Sequence, residues 1–261
     1  MTYCVGLWLE SGLVLASDSR TNAGVDYIST YRKLHVFQPR PDRLFVLLAA
    51  GNLATTQGVL NRINRDLGRA AKQGHQRGSE GDQADLLSAD YLFEAAAYIG
   101  RLNVAEQREN AQALRQAGAS GEATFILGGQ IEGQPHGLYL IYPQGNTIMA
   151  TPETPYLQIG ESKYGKPPLD YAAQSTLSLE DAARLLLLSQ VITRRSNLTV
   201  GPPFELVLYP AGSMALSQQL KLERGAPELS QIIKVWTEIQ RDGLHRLPRF
   251  AWESPATTAQ V

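Results

Sequence analysis

With 261 residues, 43% of them hydrophobic and 19% charged, the chain has the balance of an ordinary folded protein and is long enough to bury a substantial core. The net charge of −1 and the dispersed basic residues exclude the electrostatic footprint of a nucleic-acid binder. Cys4 is the single cysteine, so no internal disulfide is possible; with no charged-then-apolar leader, a reducing cytoplasm is the expected setting.

In chain order, Tyr3 to Leu9 and Leu13 to Ala16 read as two apolar strands joined across Glu10, Ser11 and Gly12, a hairpin in which Cys4 is a small buried residue. A polar loop follows, and Leu34 to Gln38 and Leu44 to Ala50 form a second pair across Pro39 to Asp42. Four strands thus precede any helix. The uncharged run from Leu44 to Asn61 contains Asn52, Thr55, Thr56 and Gln57, so it reads as a buried strand entering a helix and not as a membrane span. Leu60, Ile63 and Leu67 recur at helical spacing, the polar stretch from Gly74 to Asp85 reads as a connector, and Tyr91 to Leu114 carries a broad apolar helical face.

The second half repeats this order. Strands are expected at Thr124 to Leu127, Gly137 to Tyr142, Thr147 to Ala150 and Tyr156 to Ile159. A Leu-rich helix then opens at Ser178, with Asp181 in its first turn. Strands at Glu205 to Tyr209 and Met214 to Leu220 and a helix from Pro227 to Ile239 complete the body, and residues 254–261 read as a disordered tail. Short turns pair strands antiparallel, and the helices come in groups. The pattern predicts an α+β fold, a sandwich of two antiparallel sheets with helices on the outer faces, in one domain over residues 1–253.

The four histidines are scattered, and there is no His-Glu-x-x-His, paired cysteine or phosphate-binding glycine loop, so neither metal nor cofactor is expected. Gly160-Glu161-Ser162-Lys163-Tyr164 falls short of a nucleophile elbow, because Tyr164 stands where the second glycine belongs. Thr2 remains. If Met1 is removed, this residue carries a hydroxyl and a free α-amine with a pKa of about 7.7 to 8.0, and the amine can take the hydroxyl proton. Such a nucleophile needs a cation and an anion to hold that cation. Asp18 and Lys33 are suitable, although whether Asp18 shares a face with Thr2 depends on the hairpin register. Gly51 ends a strand and lets a backbone N–H approach an oxyanion. Taken singly, Asp18-Ser19-Arg20 also reads as a turn or surface ion pair, Gly51 as a strand terminator and Lys33 as a solvated lysine.

Together, Thr2, Ala16-Ser17-Asp18-Ser19-Arg20, Lys33 and Ala50-Gly51 resemble the nucleophile, the acidic and arginine motif, the catalytic lysine and the oxyanion glycine of the proteasome β-subunit family of N-terminal nucleophile hydrolases. Tyr142-Pro143-Gln144-Gly145 is similar to a family turn, and Ile159-Gly160-Glu161-Ser162 to the glycine and serine that hold the catalytic amine. Within the family, residues 26–34 and Ser196-Asn197-Leu198-Thr199-Val200-Gly201-Pro202-Pro203 look like the bacterial Anbu branch. The resemblance implies a four-layer αββα sandwich, a threonine peptidase acting on peptide or protein substrates, and a homo-oligomeric ring or open helical assembly.

It also implies catalytic roles for Thr2, Asp18, Lys33, Gly51 and Ser162, with Arg20, Ser196 and Thr199 in support. Thr21, Asn22, Ala49 and Leu53 would bind substrate in a small, mainly apolar pocket. Where active members place Arg-Asp-x-x-Ser-Gly, this chain has Arg195-Ser196-Asn197-Leu198-Thr199-Val200-Gly201, which leaves Ser162 and Thr199 to orient the amine. Amide-forming acyl transfer at the same site and a self-assembling scaffold without activity are the alternatives.

Overall fold

The computed structural model describes residues 1–22, 28–73 and 84–253. Most of the expected Gly74 to Asp85 connector and the whole 254–261 tail lie outside them. One sheet has the order β10 (Tyr156–Gly160), β1 (Tyr3–Leu9), β2 (Gly12–Asp18), β11 (Phe204–Pro210), β12 (Gln218–Leu222). The other runs β5 (Leu34–Arg40), β6 (Arg43–Gly51), β7 (Ala123–Ile131), β8 (Gly137–Ile141), β9 (Thr147–Met149). Every pairing is antiparallel. Helices α1 (Leu53–Gln73) and α2 (Leu92–Gln116) cover the second sheet, and α3 (Ser162–Ala172) and α4 (Leu179–Ser196) cover the first. The result is a four-layer αββα sandwich.

Strand β2 shows why these layers form. Its alternate residues Leu13 and Leu15 enter the core between the sheets with Leu44, Val46, Leu48 and Ile126, while Val14 and Ala16 face the helical layer with Leu169, Leu185 and Leu186. A strand buried on both faces reads as a continuous apolar run and not as an alternation, as GLVLAS does here. Ser178 caps α4 as expected, its hydroxyl accepting the Asp181 N–H at 3.0 Å. Helix α5 (Pro227–His245) starts with proline in its first turn and packs on α4 through Leu229 and Val191.

Three expectations differ from the structure. The polar loop after β2 contains a two-stranded ribbon, β3 (Arg20–Asn22) and β4 (Ile28–Thr30), so six strands precede α1. Helix α3 went unread because Pro167 and Pro168 lie inside it; burial of Gly165, Pro168 and Leu169 sustains it against the lost N–H donors. The last strand is Gln218–Leu222 and not Met214 to Leu220, since Gly212 and Met214 have φ of 74° and 49° and the chain is still turning there.

At one end of the sandwich the termini of several strands converge: the start of β1, the ends of β2 and β10, the start of β5, the end of β6 and the start of β11.

Candidate active site

The hairpin register sets Cys4 opposite Ser17, which brings Asp18 beside Tyr3. Asp18 is fully buried, and its Oδ1 accepts the Tyr3 backbone N–H at 3.0 Å and the Lys33 Nζ at 2.7 Å. Its Oδ2 accepts the N–H groups of Arg20 and Gly201, both at 3.2 Å. Burial pushes the Asp18 carboxyl above the usual carboxylate range, and the Lys33 ammonium with the Tyr3 and Gly201 amides pulls it back. Lys33, 6% exposed, also donates to the Arg20 carbonyl at 2.5 Å. A buried pair of this kind contributes little net stability, because desolvation of both ions offsets their attraction.

Thr2 is held at both faces of its peptide bond to Tyr3. Its carbonyl accepts the Glu161 N–H at 2.7 Å, and the Tyr3 N–H donates to Asp18. Gly160, with φ of 83°, packs so closely that a Cβ there would stand 2.0 Å from the Thr2 carbonyl oxygen. Tyr3 is itself immobilised: its carbonyl accepts from Gln190 Nε2 at 3.1 Å, and its hydroxyl shares a 2.6 Å hydrogen bond with Ser189.

Thr2 and Lys33 line a cavity of about 240 Å³ with Gly51, Thr21, Ala49 and Leu53. Gly51 has φ of 112°, and a Cβ would meet the Glu122 carbonyl oxygen at 2.4 Å, so only glycine fits. Of the expected substrate-binding residues, Asn22 ends β3, and its side chain lies outside those described. Tyr31, Arg32, His35, Thr56, Gln57 and Leu60 also line the wall, which is mainly apolar. Burial holds the His35 imidazole down at about 4, with Arg32 adding to the effect, so the ring is neutral at pH 7.

The supporting residues divide. Arg20 donates from Nη1 to the Leu198 carbonyl at 2.5 Å and lays its guanidinium against Gly201, fixing the segment after α4. Thr199 turns its hydroxyl to Asn197 Oδ1 at 2.6 Å. Ser196 is exposed at the end of α4, and neither its hydroxyl nor that of Ser162 makes a hydrogen bond among the described residues. A larger hollow of about 580 Å³ between α2 and the β8–β9 turn contains no nucleophile beside a buried ion pair, which makes the smaller cavity the candidate site. Among the described residues no group of three His, Cys, Asp or Glu could hold a metal ion, and no helix is long and apolar enough to cross a membrane.

No family model and no curated protein matches the chain. Solved structures do. Anbu, the ancestral beta-subunit, from Yersinia bercovieri is 39% identical over 97% of this chain and all of its own, with a TM-score of 0.84. The chain belongs to the Anbu family. A Gly-1 mutant of Anbu from Hyphomicrobium sp. strain MC1 matches at 38% identity over 96% of this chain and 99% of its own, TM-score 0.85. The helical assembly of the Anbu complex from Pseudomonas aeruginosa matches at 39% identity over 99% and 100%, TM-score 0.82. The four layers are therefore those of a proteasome-type β-subunit with the N-terminal nucleophile hydrolase type of sandwich.

Beyond the additional wall residues of the cavity, Glu161 and Asn197 of this Anbu chain were not singled out from sequence. Glu161, 5% exposed, follows the glycine packed on Thr2, and its Oε2 accepts from Asn197 Nδ2 at 3.0 Å. The available signal was adjacency: residues flanking a glycine that meets the chain start share its neighbourhood.

Proposed function

We propose that the chain is an N-terminal threonine amide hydrolase, a peptidase in which Thr2 attacks after Met1 is removed. The observation that supports this reading best is the buried Asp18–Lys33 pair on the wall of the cavity that also receives Thr2. In that arrangement the α-amine takes the hydroxyl proton, Lys33 stabilises the alkoxide, and Asp18 fixes Lys33. The hydroxyl oxygen adds to the substrate carbonyl, and the oxyanion forms beside Gly51. The protonated amine then returns its proton to the leaving amine, and water hydrolyses the resulting ester. Residues 1–253 act as one domain in this reading, and Thr21, Ala49, Leu53 and His35 form the pocket for the residue before the scissile bond.

Self-assembly belongs to the same proposal. Ile239, Leu244, Leu247, Phe250 and Trp252 are exposed along and beyond α5, an apolar surface suited to contact with further copies, and an Anbu complex forms a helical assembly. Sedimentation should show an oligomer; a 28.6 kDa monomer at micromolar concentration would remove this part.

The test of the chemistry is intact mass before and after treatment with a peptide epoxyketone. The expected protein lacks Met1 and gains one probe mass at Thr2, and Thr2→Ala gains none. Retention of Met1, or no adduct on the wild-type chain, would overturn the reading.

A further inference from the structure

Glu161 is a buried carboxylate that makes no ion pair among the described residues. Such a group is costly unless a cation or several donors meet it. Asn197 supplies one donor, and its orientation is set: Oδ1 accepts the Thr199 N–H at 3.0 Å and hydroxyl at 2.6 Å, which leaves Nδ2 to face Glu161. The backbone of Glu161 is meanwhile bonded to the Thr2 carbonyl, so its side chain starts one residue from the nucleophile. The amine at the start of this chain belongs to Met1, one residue before Thr2; burial holds its pKa down, Lys33 from the approach to β5 adds to this, and Asp18 from β2 and Glu161 from the β10–α3 junction push it up.

We propose that Glu161 is the positioning carboxylate of the Thr2 α-amine, held in place by Asn197 and Thr199, and that this assembly stands in for the aspartate missing at Ser196. The proposal rests on Thr2 being the nucleophile. When the hydroxyl gives up its proton, the amine lone pair takes it. The new ammonium N–H donates to a Glu161 oxygen, and no proton passes to Glu161. A negative charge beside an amine strengthens it as a base, whereas Lys33 weakens it; Glu161 and Asp18 thus counter Lys33 and keep the amine a competent acceptor. This accounts for a Thr199 hydroxyl turned to Asn197 and for a Ser196 hydroxyl that makes no hydrogen bond among the described residues.

The test titrates the α-amine directly, by the pH dependence of reductive methylation of the N-terminal peptide in the full-length assembled protein. Epoxyketone labelling is measured across the same pH range. In Glu161→Gln the amine midpoint should fall by about 1 pH unit, and the acid limb of the labelling profile should move with it. Glu161→Asp should restore part of the shift, and Asn197→Ala should give a smaller shift in the same direction. Glu205→Gln, at a buried carboxylate that is not among the groups acting on the chain-start amine, should give none.

An unchanged or raised midpoint in a folded Glu161→Gln protein overturns the proposal while leaving the nucleophile reading intact. If Glu161→Gln does not fold, an unchanged midpoint in Asn197→Ala overturns it. A shifted midpoint in a protein that the epoxyketone never labels supports the Glu161 contact and sinks the peptidase instead.

Discussion

Two buried cations stand at opposite ends of the same sheet. Lys33 precedes β5, Arg43 begins β6, and each is 6% exposed. Arg43 is used up by structure: its guanidinium donates to both oxygens of Asp42 at 3.0 and 2.9 Å and to the carbonyls of Leu87 and Ala89 at 2.9 Å. Lys33 has three donors, of which two go to Asp18 and Arg20 among the described residues, and it borders a cavity.

The surroundings differ in the same way. Near Arg43, Gln130 Oε1 takes both the Tyr209 hydroxyl and the Gly212 N–H. The four buried side-chain atoms without a partner among the described residues, Ser17 Oγ, His35 Nε2, Gln190 Oε1 and Glu205 Oε2, lie towards the end of the sandwich that holds Lys33. Native interiors rarely leave such atoms unpaired, and their collection at one end marks where folding has been subordinated to another requirement.

Substituting each cation in turn gives the largest expected difference between the two ends. Lys33→Met should slow epoxyketone labelling of Thr2 by on the order of 10²–10³-fold. Arg43→Met should leave labelling per folded molecule unchanged and cost about 2–4 kcal/mol in denaturant unfolding, because carbonyls lose a charged donor. Equal loss of labelling in both would show that Lys33 acts through stability alone.

Next in size is Gly160→Ala. The positive φ and the contact with the Thr2 carbonyl should displace Thr2 and slow labelling about 10–10²-fold, with a lowered Tm. A crystal structure with Thr2 unmoved would count against this.

A smaller effect separates the two ends by acid. His35 titrates at about 4 in the folded chain and near 6.5 unfolded, so as pH falls the unfolded state binds the proton first. Its contribution to stability is complete above pH 6.5 and is lost progressively down to pH 4, by at most about 3 kcal/mol. Asp18 and Glu205, raised by burial, oppose this trend. The measurement is therefore the difference in unfolding free energy between wild type and His35→Leu; a difference independent of pH over that window would refute the assignment. Smallest of all, Ser196→Ala should change labelling by less than about twofold, as expected of an exposed hydroxyl without a partner among the described residues.

Much of this organisation was legible in the sequence. Strands buried on both faces announce themselves as apolar runs, and the spacing of Thr2, Asp18, Lys33 and Gly51 carried a chemical requirement that each residue alone did not. The register of β1 against β2 was open, because it depends on how many residues the Glu10–Gly12 turn absorbs; pairing Leu9 with Gly12 decided it. Helix α3 was hidden by its prolines. Glu161 was hidden by its neighbours, since Gly160 and Ser162 drew attention to a motif while the carboxylate between them made the contacts. The polar part of the cavity wall was equally hard to read, as His35 comes from β5 and Thr56 and Gln57 from α1, and they meet only once the sandwich closes.

Chain ends ordinarily fray, and a nucleophile on a fraying end would sweep through many geometries. The glycine contact, the Glu161 amide and the Asp18 carboxylate grip the peptide bond that follows Thr2, so loss of Met1 would free an amine without freeing the residue that bears it. The Tyr3 amide should accordingly exchange its hydrogen as slowly as the middle of β2, a terminus with the kinetics of an interior.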